Sequence, residues 1–183
     1  MADLAAPVLE TPRLILRGWR PEDVEPYAAL LADPGSARFI TRRGRPYGRA
    51  EAWAETAFLI GHWRLRGFGM FVIEARDTGA FLGRAGPLQP EGWPGIEIAW
   101  ALTPEARGQG YATEAAAATA AWTLRRFRPD HLISVIHPDN GESQRVAVRL
   151  GERRTEESFA PFGEACDIWR LDPGLLPDPD MES

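Results

Sequence analysis

The sequence predicts an α+β domain, with helices packed on a mixed sheet, and three observations carry that prediction. Short β-prone runs cluster between residues 68 and 102 around tight turns. Two long segments keep helical spacing, and a short apolar run stands between the last two helical segments. With 183 residues, 44% of them apolar, the chain can close one core without disulfides or metals.

Taken in order, Arg13-Leu14-Ile15-Leu16-Arg17 alternates as a strand does, and Pro21-Glu22-Asp23 opens a helix that runs to about Leu31. Gly35 and the arginines Arg42, Arg43 and Arg45 read as a loop. A helix follows from about Arg49 to Arg66, with Trp53, Ala57, Ile60 and Arg64 at helical spacing. Phe68 to Ile73 and Phe81 to Ala85, separated by Asp77-Thr78-Gly79, read as a hairpin. Ile96 to Leu102 is a third run of this kind, leading through Thr103-Pro104 and a glycine turn into an alanine-rich helix from Tyr111 to Phe127. Leu132 to Ile136 is a short buried strand. Asn140 can cap a helix that runs to Leu150 and stops at Gly151, and strands are expected near Arg153 to Ser158 and Ala165 to Leu171. The expected organisation is a single domain over residues 1–171 and a loose Pro- and Asp-rich tail over 172–183.

Charge and composition narrow the function classes. The net charge of -5 opposes a phosphate polymer, so nucleic acid is not an expected partner. All 21 basic residues are arginine, which a GC-rich genome explains without selection for function. One cysteine, Cys166, excludes an internal disulfide framework and fits a reducing compartment. Met1-Ala2-Asp3-Leu4 has neither a basic start nor a long apolar run, and no window approaches a membrane span. A cytoplasmic protein without a membrane partner is the expectation.

The informative segment is Arg107-Gly108-Gln109-Gly110-Tyr111-Ala112-Thr113, set between a strand and a helix. Free backbone N–H groups gather at a helix N-terminus and bind anions there. Gly108 and Gly110 remove side chains that would hold a diphosphate away, and Ala112 is small enough to let it approach the first turn. A nucleotide-triphosphate loop needs a lysine, and this sequence has none. A dinucleotide fingerprint would want Gly or Ala at Thr113 and an acidic residue at a strand end, where Asp130 matches only in position.

Arg107-x-x-Gly110-x-Ala112, placed after Trp100-Ala101-Leu102-Thr103-Pro104, resembles the acetyl-CoA pyrophosphate loop of the GNAT superfamily. The opening Leu9-Glu10-Thr11-Pro12-Arg13-Leu14, the Gly83 hairpin and Asn140-Gly141-Glu142-Ser143 are similar to its RimJ/RimL-like branch, which acetylates ribosomal-protein N-termini. The likeness spans roughly residues 9 to 171. It implies a three-layer fold with about seven strands, splayed between the fourth and fifth. It also implies acetyl-CoA as co-substrate, no metal, an amine-bearing acceptor (a peptide N-terminus or a small molecule), and a monomer or homodimer. Leu102 and Thr103 would pair with the pantetheine arm as an added strand does. Residues Arg107, Gly108, Gln109, Gly110, Tyr111, Ala112 and Thr113 would hold the pyrophosphate, Asn140 would bond the pantetheine, and Ser143 would lie near the sulfur.

Acyl transfer to an amine needs a base, an oxyanion site and a route for the thiolate. Glu97 is the candidate base, with His137 as an alternative. A backbone N–H between Trp100 and Leu102 would meet the oxyanion. Where many relatives carry an acidic tyrosine the sequence has Ala147, so Ser143 is left to protonate or position the leaving sulfur. Another departure is Glu152, where the family usually has an aromatic residue. Acceptor recognition is expected between Phe39 and Gly67 and between Ser158 and Gly163, where Trp53, Trp63, Phe159 and Phe162 serve either core or pocket. Three competing readings stand beside the acetyltransferase; a pure interaction domain leaves the glycine turn and its placement unexplained, and two others remain. One is a cysteine-dependent acyl transfer through Cys166 with His62, His131 or His137. The other is an acyl-CoA-binding module without turnover.

Overall fold

The computed structural model describes residues 6–174, and the helices sit on both faces of one eight-stranded sheet. The strands are β1 (Leu9–Glu10), β2 (Leu14–Arg17), β3 (Phe71–Ala75), β4 (Phe81–Leu88), β5 (Glu97–Leu102), β6 (Leu132–Ile136), β7 (Arg153–Phe159) and β8 (Cys166–Leu171). They lie in the order β1-β2-β3-β4-β5-β6-β8-β7, and β5 and β6 form the parallel pair in an otherwise antiparallel sheet. The helices are α1 (Val24–Ala32), α2 (Pro34–Ile40), α3 (Arg49–Arg66), α4 (Tyr111–Phe127) and α5 (Gly141–Arg149).

Side-chain alternation along β5 divides the core between the two faces. Ile98 and Leu102 pack with the alanine face of α4, where Ala115, Ala116 and Ala120 are wholly buried. Without side-chain bulk there, α4 can lie close to the sheet. Ala101 faces the other way, against Tyr27 of α1 and Leu59 of α3.

The feature that matters for function is how briefly β5 and β6 pair. Their registered contact is Glu97 opposite Ile133, supported by the Ile133 N–H donating to the Ile96 carbonyl at 3.0 Å. Beyond it the strands diverge, and Ser134 to Ile136 register only with β8. The expected splay between the fourth and fifth long strands is therefore present, and the strand beyond the expected seven is the two-residue β1.

Four expectations need correction. Gly35, read as loop, lies within α2: Asp33 caps the helix, its carboxylate accepting from the Ser36 N–H at 2.8 Å, and Pro34 takes the first position, where no N–H is needed. The buried face of α3 is also rotated from the expected one. Ala52, Thr56, Leu59 and Trp63 face inward, while Trp53 and Ile60 are 59% and 49% exposed. The rotation is fixed at the C-terminal end, where Trp63 Nε1 donates to the Met70 carbonyl and His62 Nδ1 bonds the Phe68 carbonyl. The first expected helix opens as a 3-10 turn over Pro21–Asp23, and the first hairpin strand starts at Phe71 instead of Phe68. The expected loose tail lies outside the described residues except for Asp172, Pro173 and Gly174, and Asp172 is bound by Arg153 and Arg170.

Candidate functional site

A cleft of about 650 Å³ opens where β5 and β6 part, lined by the end of β5, the turn before α4, the first turns of α4 and α5, and α2. Its floor follows from backbone alternation. The Thr103 N–H donates to the Leu82 carbonyl at 2.9 Å, so the odd-numbered residues of β5 direct their hydrogen-bonding groups toward β4. Trp100 and Leu102 therefore present theirs toward the side from which β6 has departed. An open strand edge inside a cleft can pair with an extended amide chain.

The turn at residues 107–110 shapes one end. Gly108 and Gly110 have φ of 73° and 84°, a left-handed backbone that L side chains adopt at a cost. A Cβ on Gly108 would project into open space, whereas one on Gly110 would come within 3.3 Å of the Arg13 guanidinium. Gly110 caps α4, and the first backbone bond into the helix is from Glu114 N–H to the Gly110 carbonyl. The N–H groups of Ala112 and Thr113 consequently have no helical partner at the cleft wall, an anion-binding arrangement.

Not every side chain of the turn faces the cleft. The Arg107 guanidinium points across to α2, pairing with Asp33 at 3.1 Å and bonding Ser36 Oγ. The carboxylate of Asp33 is held below its ordinary range by Ser36 first and then by Arg107. Gln109 Nε2 donates to the Glu105 carbonyl, and the Tyr111 ring lies under Arg13, 4.6 Å from its guanidinium carbon. These three brace the turn. Thr103 uses its N–H on β4, as described.

The sequence did not single out the clamp beneath this turn. Glu114, in the first turn of α4, accepts from Thr11 Oγ1 at 2.7 Å and from the backbone and Nε of Arg13 at 3.0 and 2.7 Å; Arg13 Nη1 reaches the Gln109 carbonyl at 2.9 Å. Burial pushes Glu114 up, but the contacts from Thr11 and Arg13 outweigh it and leave it lowered. The Thr11-Pro12-Arg13 segment was noticed for its likeness, and its spacing alone gave no partner a hundred residues away. Arg145 and Arg149 of α5 also line the cleft, and their spacing of four residues on an exposed helix face was the available signal.

On α5, Asn140 Oδ1 accepts from the Ser143 N–H at 3.1 Å, so Asn140 is the helix cap and a cleft residue at once. Ser143 also lines the cleft. Ala147 is fully buried, so nothing at that position can deliver a proton.

Glu97 lies at the closed end of the splay, 8% exposed, and is not itself part of the cleft wall. Burial pushes its carboxyl up to about 7, against the Trp93 indole donating at 2.7 Å, the Val135 N–H and the charge of Arg84. It shares the α1/α3 face with Ala99, which is partly exposed, and with Ala101, which lines the cleft. Buried Arg84, the cross-strand neighbour of Ala101, lies on the same face over the Tyr27 ring.

The other nominated groups are occupied elsewhere. His137 Nδ1 accepts from the Asp139 N–H at 3.1 Å, which leaves the ring hydrogen on Nε2, 3.3 Å from Glu164. A second depression, about 750 Å³, lies beside that pair and includes Arg38 and Arg43. His62 has both ring nitrogens engaged, with the Phe68 carbonyl and the Gln89 N–H, and burial lowers it. Cys166 is partly exposed and its thiol is pushed up, by burial first and then by the charge of Glu97, the wrong direction for a nucleophile. Trp63 is core, edge-on to Phe71 and tilted against Trp122, while Phe159 and Phe162 pack on Trp93. Among the described residues no group of three or more His, Cys, Asp or Glu side chains could hold a metal, and no helix is long and apolar enough to cross a membrane.

Comparison with known proteins agrees with this geometry. Residues 13–153 match the family model described as Acetyltransferase (GNAT) domain. The chain is 33% identical over 87 residues to YkkB of Bacillus subtilis (strain 168), covering 46% of this chain and 51% of that protein. The uncharacterized N-acetyltransferase YnaD of the same organism is 30% identical over 84 residues, covering 46% and 49%. The chain thus spans about half the length of the curated relatives it matches. The crystal structure of an acetyltransferase from Agrobacterium tumefaciens superposes with a TM-score of 0.81 at 29% identity, covering 91% of this chain and 95% of that one. RimL, the ribosomal L7/L12 alpha-N-protein acetyltransferase, in complex with coenzyme A, shares the fold at a TM-score of 0.71 and 17% identity, covering 90% and 96%.

Proposed function

This chain belongs to the GNAT acetyltransferase family, and on that premise we propose that it moves an acetyl group from acetyl-CoA directly to a primary amine within a ternary complex. The observation that carries the proposal is the cleft at the splay, which joins an unpaired strand edge to a helix N-terminus whose N–H groups have no helical partner. Acetyl-CoA has a part for each: amide groups along the pantetheine for Trp100 and Leu102, and a diphosphate for the N–H groups of Ala112 and Thr113 beyond Gly108 and Gly110. Asn140 would meet the pantetheine, and Arg145 and Arg149 add positive charge beside the diphosphate.

Glu97 is assigned as the base. Ionised, it takes a proton from the acceptor ammonium through water along the Ala99 face, and the freed amine attacks the thioester carbonyl carbon. The carbonyl oxygen becomes an oxyanion, met by a backbone N–H at the end of β5. When the C–S bond breaks, the sulfur leaves as thiolate, positioned by Ser143, and takes up the second proton that the nitrogen sheds as the amide forms. With a thiol of ordinary pKa about 8.5 as the conjugate acid, departure does not demand a strong acid, which fits the buried Ala147.

The acceptor class proposed is a peptide or protein α-amine, as the likeness to RimL, an alpha-N-protein acetyltransferase, suggests, with a small-molecule amine as the second candidate. Calorimetric titration with acetyl-CoA, followed by CoA-release assays over peptide N-termini and small amines, tests the proposal. Micromolar binding with release that depends on the amine supports transfer. Binding without release for any amine would favour the CoA-binding module, and no binding would remove the cofactor assignment.

A further inference from the structure

Gly151 ends α5 with a φ of 83°, and Glu152 then turns its side chain inward until the residue is 5% exposed. Its Oε1 lies 3.0 Å from Ser134 Oγ, and Ser134 Oγ lies 2.8 Å from the carbonyl oxygen of Ile98. A serine hydroxyl has one hydrogen. If Ser134 gives it to Ile98, the other contact is a hydrogen bond only when Glu152 carries a proton. If Glu152 is ionised, Ser134 must turn its hydrogen to the carboxylate, and the Ile98 carbonyl loses its donor.

The surroundings favour the first arrangement. Glu152 Oε2 is buried without a partner, a condition far costlier for half of a carboxylate than for an oxygen of a neutral acid. Nearby, α5 turns Val146, Ala147 and Leu150 inward and β8 turns Trp169 and Leu171, so neither buried face offers a cation. The charge that does act on Glu152 is that of Glu97 on β5, which has the same sign. Burial, reinforced by Glu97 and only partly offset by Ser134, pushes Glu152 up to about 8.

We infer that Glu152 is a positioning residue: carrying its proton, it donates to Ser134, and the hydrogen this frees for Ile98 clasps β6 to β5 at the last point before the strands part. The unpaired edge of the cleft begins two residues further along, at Trp100. The clasp therefore sets where the splay starts and how its walls stand. Rising pH opens it, because an ionised Glu152 takes the hydrogen back.

The ligand readout of this inference rests on the acyl-transfer reading; the clasp itself does not. Glu152→Gln keeps a donor to Ser134 that never titrates, and Glu152→Ala removes it. Infrared difference spectra at about pH 7 should show protonated-carboxyl absorption in wild type, of which the Glu152 share is missing from E152Q while the Glu97 share remains. Wild-type affinity for acetyl-CoA should fall by about tenfold as the pH passes from about 7 to about 9, E152Q should hold its affinity across that range, and E152A should bind weakly throughout. Amide exchange at Ile133 should rise by about tenfold in E152A and stay at the wild-type rate in E152Q at neutral pH. A band unchanged by E152Q overturns the inference, as do superimposable pH curves for wild type and E152Q. If the wild type binds no acetyl-CoA, the acyl-transfer reading fails by itself. The infrared band and the exchange rates then decide the clasp, and equal exchange in all three proteins would reject it.

Discussion

The Trp93 indole donates to the Glu97 carboxylate across 2.7 Å, so the carboxyl at the closed end of the splay is held in place by a neutral donor. That bond favours the ionised form and opposes the upward push of burial. Trp93→Phe should therefore raise Glu97 further, and the acidic limb of the rate profile, which requires ionised Glu97, should move to higher pH by up to about one unit. The check is a pH series of kcat/KM. A limb that stays in place would separate the rate-controlling base from Glu97.

Removing the carboxylate itself is the sharper test of its role. Glu97→Gln preserves size and can still accept from Trp93, so the fold should survive. A lost general base lowers kcat by about a hundredfold or more, while acetyl-CoA affinity stays near the wild-type value because Glu97 is not part of the cleft wall. Equal losses in affinity and rate would mean that the residue shapes the cleft instead of accepting a proton.

Much of this architecture was legible because local chemistry and tertiary demand agreed. The alanines of α4, the Asn140 cap with its Gly151 stop, and the Gly108/Gly110 turn each have one good structural use, and each is used that way. Helix α2 was missed although Asp33-Pro34 is a sound start signal, since Gly35 and a helix of seven residues give periodicity little room. The face of α3 was misassigned because two apolar stripes lie side by side on it. The choice between them is made by bonds from His62 and Trp63 to the following loop, which no periodicity encodes. The clamp of Arg13 on Glu114 joins positions 101 residues apart, and the Glu152 contact joins the residue before β7 to Ser134 in the middle of β6. Pairings of this kind exist only once the sheet order is known.

The anion turn can be tested without disturbing its support. Gly110 is the less suitable position, since a side chain there meets Arg13 and a new carboxylate could pair with it. At Gly108 nothing lies within 4 Å of an added Cβ, and Asp tolerates a left-handed backbone better than most residues. Gly108→Asp should weaken acetyl-CoA binding by about a hundredfold through charge repulsion, with a loss of no more than about 1 kcal/mol in stability. Calorimetry beside urea unfolding reads both quantities. Unchanged affinity would move the diphosphate away from this turn.

The buried carboxyls also make the stability of the fold depend on pH in a definite direction. Glu97 and Glu152 stand at about 7 and about 8 in the folded protein, against an ordinary value of 4.5. Between the ordinary and the raised value the folded state binds the extra proton, so the contribution of these two groups to stability is greatest below the ordinary range and falls as the pH rises. Each group contributes a slope of up to about 1.4 kcal/mol per pH unit. The fall from Glu97 ends near its folded value and that from Glu152 continues about one unit further. Replacing Glu152 with Gln removes the second contribution, so wild type should still lose stability between about pH 7 and about pH 8 while E152Q has levelled off. Urea unfolding at intervals across that range decides the matter. Parallel curves would mean that Glu152 is already ionised at neutral pH, and a buried carboxylate without a cation would then need a partner that the seam between β5 and β6 does not supply.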